Sequence, residues 1–111
     1  MLRASSVAIV AVLLLAGAPV RAQDQEKDVR EGRAFAQRVC AICHGIQLGQ
    51  VSAVAGAPSF YTIAATPGMS PLALRVALES THRSMPNFAF TADEMRTVIA
   101  YIMSLQPPGK Q

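Results

Sequence analysis

The sequence predicts an all-α fold of about four helices joined by long loops. Three observations point there. Apolar residues recur at helical spacing in several separate segments, most clearly Met95, Val98, Ile99, Ile102 and Leu105. Helix-start signals stand immediately ahead of these segments, as at Ser70-Pro71 and at Thr91 with Glu94. No convincing strand appears.

The first residues read as a targeting segment rather than as part of the fold. Met1-Leu2-Arg3 carries a positive charge, and the run from Ala4 to Ala16 is almost wholly apolar. Gly17, Pro19 and Ala22 close it, so residues 1–22 are expected to be a secretory signal peptide cut before Gln23. The competing reading is a retained membrane anchor, but a spanning helix needs about 20 apolar residues and this run falls short. No cysteine lies in the segment, which excludes a lipoprotein anchor. The remainder, 23–111, is expected to be one domain with its core at about 28–106.

The first helix is expected over Asp24 to Val39. Asp28 and Glu31 have capping-box spacing, and Val29, Phe35, Ala36 and Val39 form its apolar stripe. Gly32 is a weak point in that helix. Residues 45–58, with Gly45, Gly49, Gly56 and Pro58, read as an irregular loop. A short helix over Ser59 to Ala65 ends at the Pro67-Gly68 turn. Ser70 caps the next helix, with Pro71 at its first position and an end near Ser80. Thr81 to Phe90 is again loop, and the capping box at Thr91 opens the last helix, which stops at Pro107-Pro108-Gly109.

Between the first helix and the first loop stands Cys40-Ala41-Ile42-Cys43-His44. This is C-x-x-C-H, in which two thiols attach a haem covalently and the adjacent imidazole ligates its iron. Thiols three apart on a helical turn share one face, so each can meet one vinyl group of a porphyrin. The chain has only these 2 cysteines, so no other pairing competes. A thiol redox site and half of a zinc site are the other uses of such a stretch. The first needs strands alternating with helices, and the second needs two further ligands where only His82 is left among cysteines and histidines. Long loops suit a flat cofactor, whose two faces must both be wrapped. Buried haem also supplies apolar volume to a chain with few aromatics. Hiding several hundred Å² contributes roughly 10 kcal/mol at ~25 cal/mol per Å².

With these elements in place, the chain resembles the class I c-type cytochromes, small single-haem electron carriers. The resemblance covers roughly Glu31 to Leu105. It rests on Gly32-Arg33-Ala34-Phe35, the C-x-x-C-H motif, Ala57-Pro58, Met85-Pro86-Asn87-Phe88 and Ala100-Tyr101-Ile102. It implies a cytochrome c-like fold whose first and last helices cross closely, Gly32 and Phe35 against Tyr101 and Ile102. It implies one covalent haem c per chain, attached through Cys40 and Cys43, with His44 the proximal iron ligand. Met85, on the loop before the last helix and followed by proline, takes the place of the distal ligand. His82, on the same loop, is its rival, and Met69 is a further alternative. Pro58 is expected to accept a hydrogen bond from the far nitrogen of His44, while Tyr61 and Asn87 are candidate polar neighbours of the cofactor. Arg75 and Arg83 are either propionate partners or solvated surface residues.

The function so implied is periplasmic electron transfer by an outer-sphere route, without catalysis of its own. The alternative is a haem c subunit or dedicated acceptor of a periplasmic dehydrogenase. The partners are then other redox proteins, with no membrane span once the signal is removed, and the protein is a monomer or a subunit of such a complex. Nucleic acid is not among the expected partners. Removal of 1–22 takes away Arg3 and Arg21, leaving eight basic against seven acidic side chains and no basic cluster. The apolar loop from Ile46 to Ala57 is a candidate docking face.

Overall fold

The computed structural model describes residues 19–80 and 84–109. It places four helices in the order α1 (Val20–Val39), α2 (Phe60–Ala65), α3 (Pro71–Glu79) and α4 (Ala92–Ser104), with no strand among the described residues. The expected class and element order are therefore those observed. His82 and Arg83, and residues 1–18 of the expected signal, lie outside the described residues.

Three of these helix starts obey local chemistry. The Ser59 hydroxyl accepts from the Thr62 amide at 3.1 Å, and the Ser70 hydroxyl accepts from the Ala73 amide at 3.1 Å. At Thr91 the capping box is complete: the Glu94 amide donates to Thr91 Oγ1 at 3.2 Å, and the Thr91 amide donates to Glu94 Oε2 at 2.9 Å. Each satisfies backbone donors that a helix start otherwise leaves open.

The start of α1 departs from expectation. The helix begins at Val20, behind Pro19, with no side-chain cap. Ala22, Gln23, Gln25, Glu26 and Lys27 are all good helix formers, so nothing stops propagation back to the proline. Asp28 is consequently interior to the helix and caps nothing. Its carboxylate instead accepts from Arg96 of α4, at 3.1 Å from Nε and 3.3 Å from Nη2.

The packing of α1 on α4 organises the domain. A Cβ on Gly32 would lie 1.8 Å from the Thr97 carbonyl oxygen and 2.9 Å from Tyr101 Cβ. Only glycine permits this approach, which is the structural reason for a helix-weakening residue in mid-helix. Around the contact, Phe35 and Ala36 of α1 join Met95, Val98, Ile99, Tyr101 and Ile102 of α4, with Phe60 and Ala64 of α2 and Leu74 of α3. The loop contributes Ile46, which is 1% exposed. Phe90 closes one end against Phe35, ring centroids 5.9 Å apart.

Candidate functional site

The C-x-x-C-H residues form the continuation of α1. The Cys40 amide donates to the Ala36 carbonyl at 2.8 Å, so the helical ladder runs into the motif. The Cys40 carbonyl then accepts from the amides of both Cys43 and His44, at 3.1 and 2.9 Å. One wound turn thus carries both thiols and the imidazole, the arrangement the spacing implies. Cys40, Cys43 and His44 are all half-buried.

The next loop is irregular but closely tied to this turn. The Val54 amide donates to the Cys43 carbonyl at 3.2 Å, and the Phe60 amide donates to the Gly45 carbonyl at 2.8 Å. Ser52 Oγ accepts from the Gly45 amide at 2.9 Å, and Gln50 Oε1 accepts from the amides of Ile46 and Gln47. A Cβ on Gly45 would lie 2.2 Å from the Gln50 carbonyl oxygen, so the residue after the histidine must be glycine.

These ties bring the Pro58 carbonyl oxygen to 2.6 Å from His44 Nδ1. A carbonyl can only accept, so Nδ1 is the donor, and in the neutral imidazole Nε2 then keeps its lone pair. That tautomer is the metal-ligating one, with the ring oriented by its other nitrogen. The ring also rests near Phe60, centroids 5.7 Å apart.

The donor set fits haem c. Among the described residues no three His, Cys, Asp or Glu side chains converge to hold a metal ion, as a zinc centre requires. Burial pushes the Cys40 thiol up to about 11, whereas an attacking thiol in exchange chemistry has a lowered value. Two half-buried thiols and an imidazole with a free Nε2, all on one turn, suit a cofactor bound at separate atoms.

Met85 is half-buried in the segment between α3 and α4, while Tyr61 and Asn87 are exposed. Met95 belongs to the core, and Met69 and Met103 pack against it. Arg75 pairs with Glu79 at 3.6 Å on the surface of α3. Ile46 does not belong to a docking face, because it is buried in the core. Its neighbours do project outward, with Ile42 73%, Leu48 66% and Val51 88% exposed. A cleft of about 640 Å³ lies elsewhere, between Gln25, Leu72, Arg75 and Met103.

Sequence reasoning misses the role of Phe60, of the Tyr101 hydroxyl and of the Ser52 and Gln50 ties. Phe60, two residues after Pro58, has a signal in its position. The others have none, since irregular backbone has no period to read.

An all-helical domain presenting two thiols and a metal-ready imidazole from one turn is of the class that carries covalently attached haem. The family model described as cytochrome c oxidase, cbb3-type, subunit III matches residues 27–102. Cytochrome c-552 of Bradyrhizobium diazoefficiens is 37% identical over 95 residues, spanning 86% of this chain and 91% of that protein. No solved structure matches. The chain belongs to this cytochrome c family: it is a small c-type cytochrome, an electron-transfer protein with covalently bound haem c. Redox proteins are therefore its partners. Among the described residues no helix is long and apolar enough to cross a membrane.

Proposed function

We propose that residues 1–22 direct export and are removed, and that 23–111 act in the periplasm as a single-domain, non-catalytic carrier of one electron between redox partners. Cys40 and Cys43 hold the cofactor through thioethers, His44 is the proximal ligand and Met85 the distal one. When bound, haem c supplies a one-electron couple whose potential a histidine–methionine pair raises. The observation that carries the reading is the 2.6 Å contact between His44 Nδ1 and the Pro58 carbonyl, which leaves Nε2 free for iron. Pro58 also makes the imidazole more electron-rich and fixes its ring plane. Met85 is favoured as the second ligand because Met95 is in the core and Met69 and Met103 pack against it.

Met85→Ala tests the assignment. It is expected to lower the reduction potential and to open the iron to carbon monoxide, while His82→Ala leaves both unchanged. An unaltered optical spectrum in Met85→Ala refutes the distal ligand.

A second reading is favoured by the exposed Ile42, Leu48 and Val51 beside the motif. With nearly balanced charge, the surface has little to steer a partner from a distance and an apolar face to hold one. A haem c subunit or dedicated acceptor of a periplasmic dehydrogenase fits that description, and the description of the matched family model adds an oxidase to the candidates. Purification from the native host separates the readings: a free carrier elutes alone, and a subunit elutes with its enzyme.

A further inference from the structure

Behind His44 lies a set of contacts that the C-x-x-C-H motif does not itself require. The Tyr101 hydroxyl donates to the Ile46 carbonyl at 2.6 Å, and both residues are buried. The Tyr101 ring stands 6.2 Å from that of Phe60, tilted by 55°. Phe60 in turn faces the His44 ring at 5.7 Å and 50°, and its amide is anchored on the Gly45 carbonyl at 2.8 Å. Two carbonyls directly after the histidine, Gly45 and Ile46, are thus gripped by the residue that touches the imidazole and by the residue behind it. The backbone at Gly45 is further restrained by Ser52 on its amide.

A buried tyrosine usually finds some acceptor for its hydroxyl, and that alone gives it no function. Tyr101 is different because its hydroxyl bond and its ring contact with Phe60 both lead toward His44. Its hydroxyl fixes the backbone two residues beyond His44, and its face supports the aromatic packed on His44. It also sits where Gly32 lets α1 approach α4, so it is held in place from behind.

We propose that Tyr101 is a positioning residue for the His44 imidazole, acting through the Ile46 carbonyl and Phe60 to hold the ring where Nδ1 donates to Pro58. The proposal rests on the reading of His44 as the proximal ligand. Burial raises the Tyr101 hydroxyl above the ordinary tyrosine range, with Arg33 opposing, so the donor keeps its proton through neutral pH.

Removing the hydroxyl leaves the Ile46 carbonyl buried without its donor, and the 45–46 backbone shifts to seek another. Phe60 moves with it, the imidazole turns, and the bond to Pro58 lengthens. A weaker bond at Nδ1 makes the ligand less basic and so favours the reduced metal.

The test uses the mature holoprotein with Tyr101→Phe, which keeps the ring, and Thr97→Val as a control. Thr97 is buried on the same helix and its hydroxyl bonds only locally, to the Glu94 carbonyl at 3.3 Å. The readouts are the paramagnetic NMR shifts of the oxidised protein, which report the plane of the axial imidazole, and an equilibrium redox titration. Tyr101→Phe is expected to rearrange the shift pattern and to move the reduction equilibrium about threefold toward the reduced form. Thr97→Val is expected to alter thermal stability and neither of these. A Tyr101→Phe protein with the wild-type pattern and equilibrium overturns the proposal, and leaves Tyr101 a packing residue. A wild-type spectrum without histidine ligation overturns instead the reading of His44 on which it rests.

Discussion

Replacing Gly32 by alanine tests how the domain is held together. The added Cβ would stand 1.8 Å from the Thr97 carbonyl oxygen, which belongs to the α4 backbone and cannot rotate away. To restore ordinary contact, α1 and α4 must part by roughly 1.5 Å, and a gap of about 1 Å already forfeits a quarter to a half of the dispersion across it. The buried side chains flanking the contact, Phe35, Val98, Tyr101 and Ile102, contribute about 2 kcal/mol each. Loss of about a third of that is ~3 kcal/mol. Alanine's better helix propensity returns ~1 kcal/mol, so the net cost is ~2 kcal/mol. For a domain of this size the melting temperature should fall by about 10 °C. The assay is thermal unfolding of the holoprotein monitored by circular dichroism, with Gly56→Ala as control. Nothing lies within 4 Å of a Cβ at Gly56, and its effect should stay within about 0.5 kcal/mol. A Gly32→Ala protein that melts within about 2 °C of the wild type refutes the close-contact argument.

The same geometry sets two further outcomes. Gly45→Ala drives a Cβ to within 2.2 Å of the Gln50 carbonyl and so displaces the backbone next to His44. The yield of protein with covalent haem, measured by haem staining against total protein, should fall severalfold, whereas Gly56→Ala should leave it unchanged. The second concerns pH. Because burial raises Tyr101 in the folded state, its contribution to stability is fully present below the unfolded tyrosine value of about 10 and is lost as pH rises through the folded one. Melting temperature should therefore decline in that alkaline window, and Tyr101→Phe should lose this step; an identical decline in both proteins contradicts the assignment.

The features legible in the sequence are the local ones. Ser70 and the Thr91–Glu94 box mark helix starts because a cap acts within three residues, and both appear where the letters place them, while Ser59, read as the first helical residue, is the cap of α2. The haem motif is readable for the same reason, its spacing being a property of one turn. Asp28 misleads because its partner, Arg96, is 68 residues away, and an acid with capping-box spacing to Glu31 looks the same in either role. Gly32 makes no sense by helix propensity and is explained in the sequence only through the family resemblance, since its cause is a carbonyl on another helix. Ile46 reads as part of an apolar loop face because burial of a loop residue leaves no periodic trace. The Tyr101 bond to its carbonyl, 55 residues apart, is beyond any local rule.

One haem c that His44 and Met85 would ligate is the centre of the proposed function. The measurement that tests it most directly is a reduced-minus-oxidised spectrum with a redox titration of protein matured in a periplasm. One haem should survive denaturation bound to the chain, with the spectral signature of histidine–methionine ligation and a single one-electron wave. A haem that extracts from the wild-type chain, or a bis-histidine spectrum with the correspondingly lower potential, contradicts it.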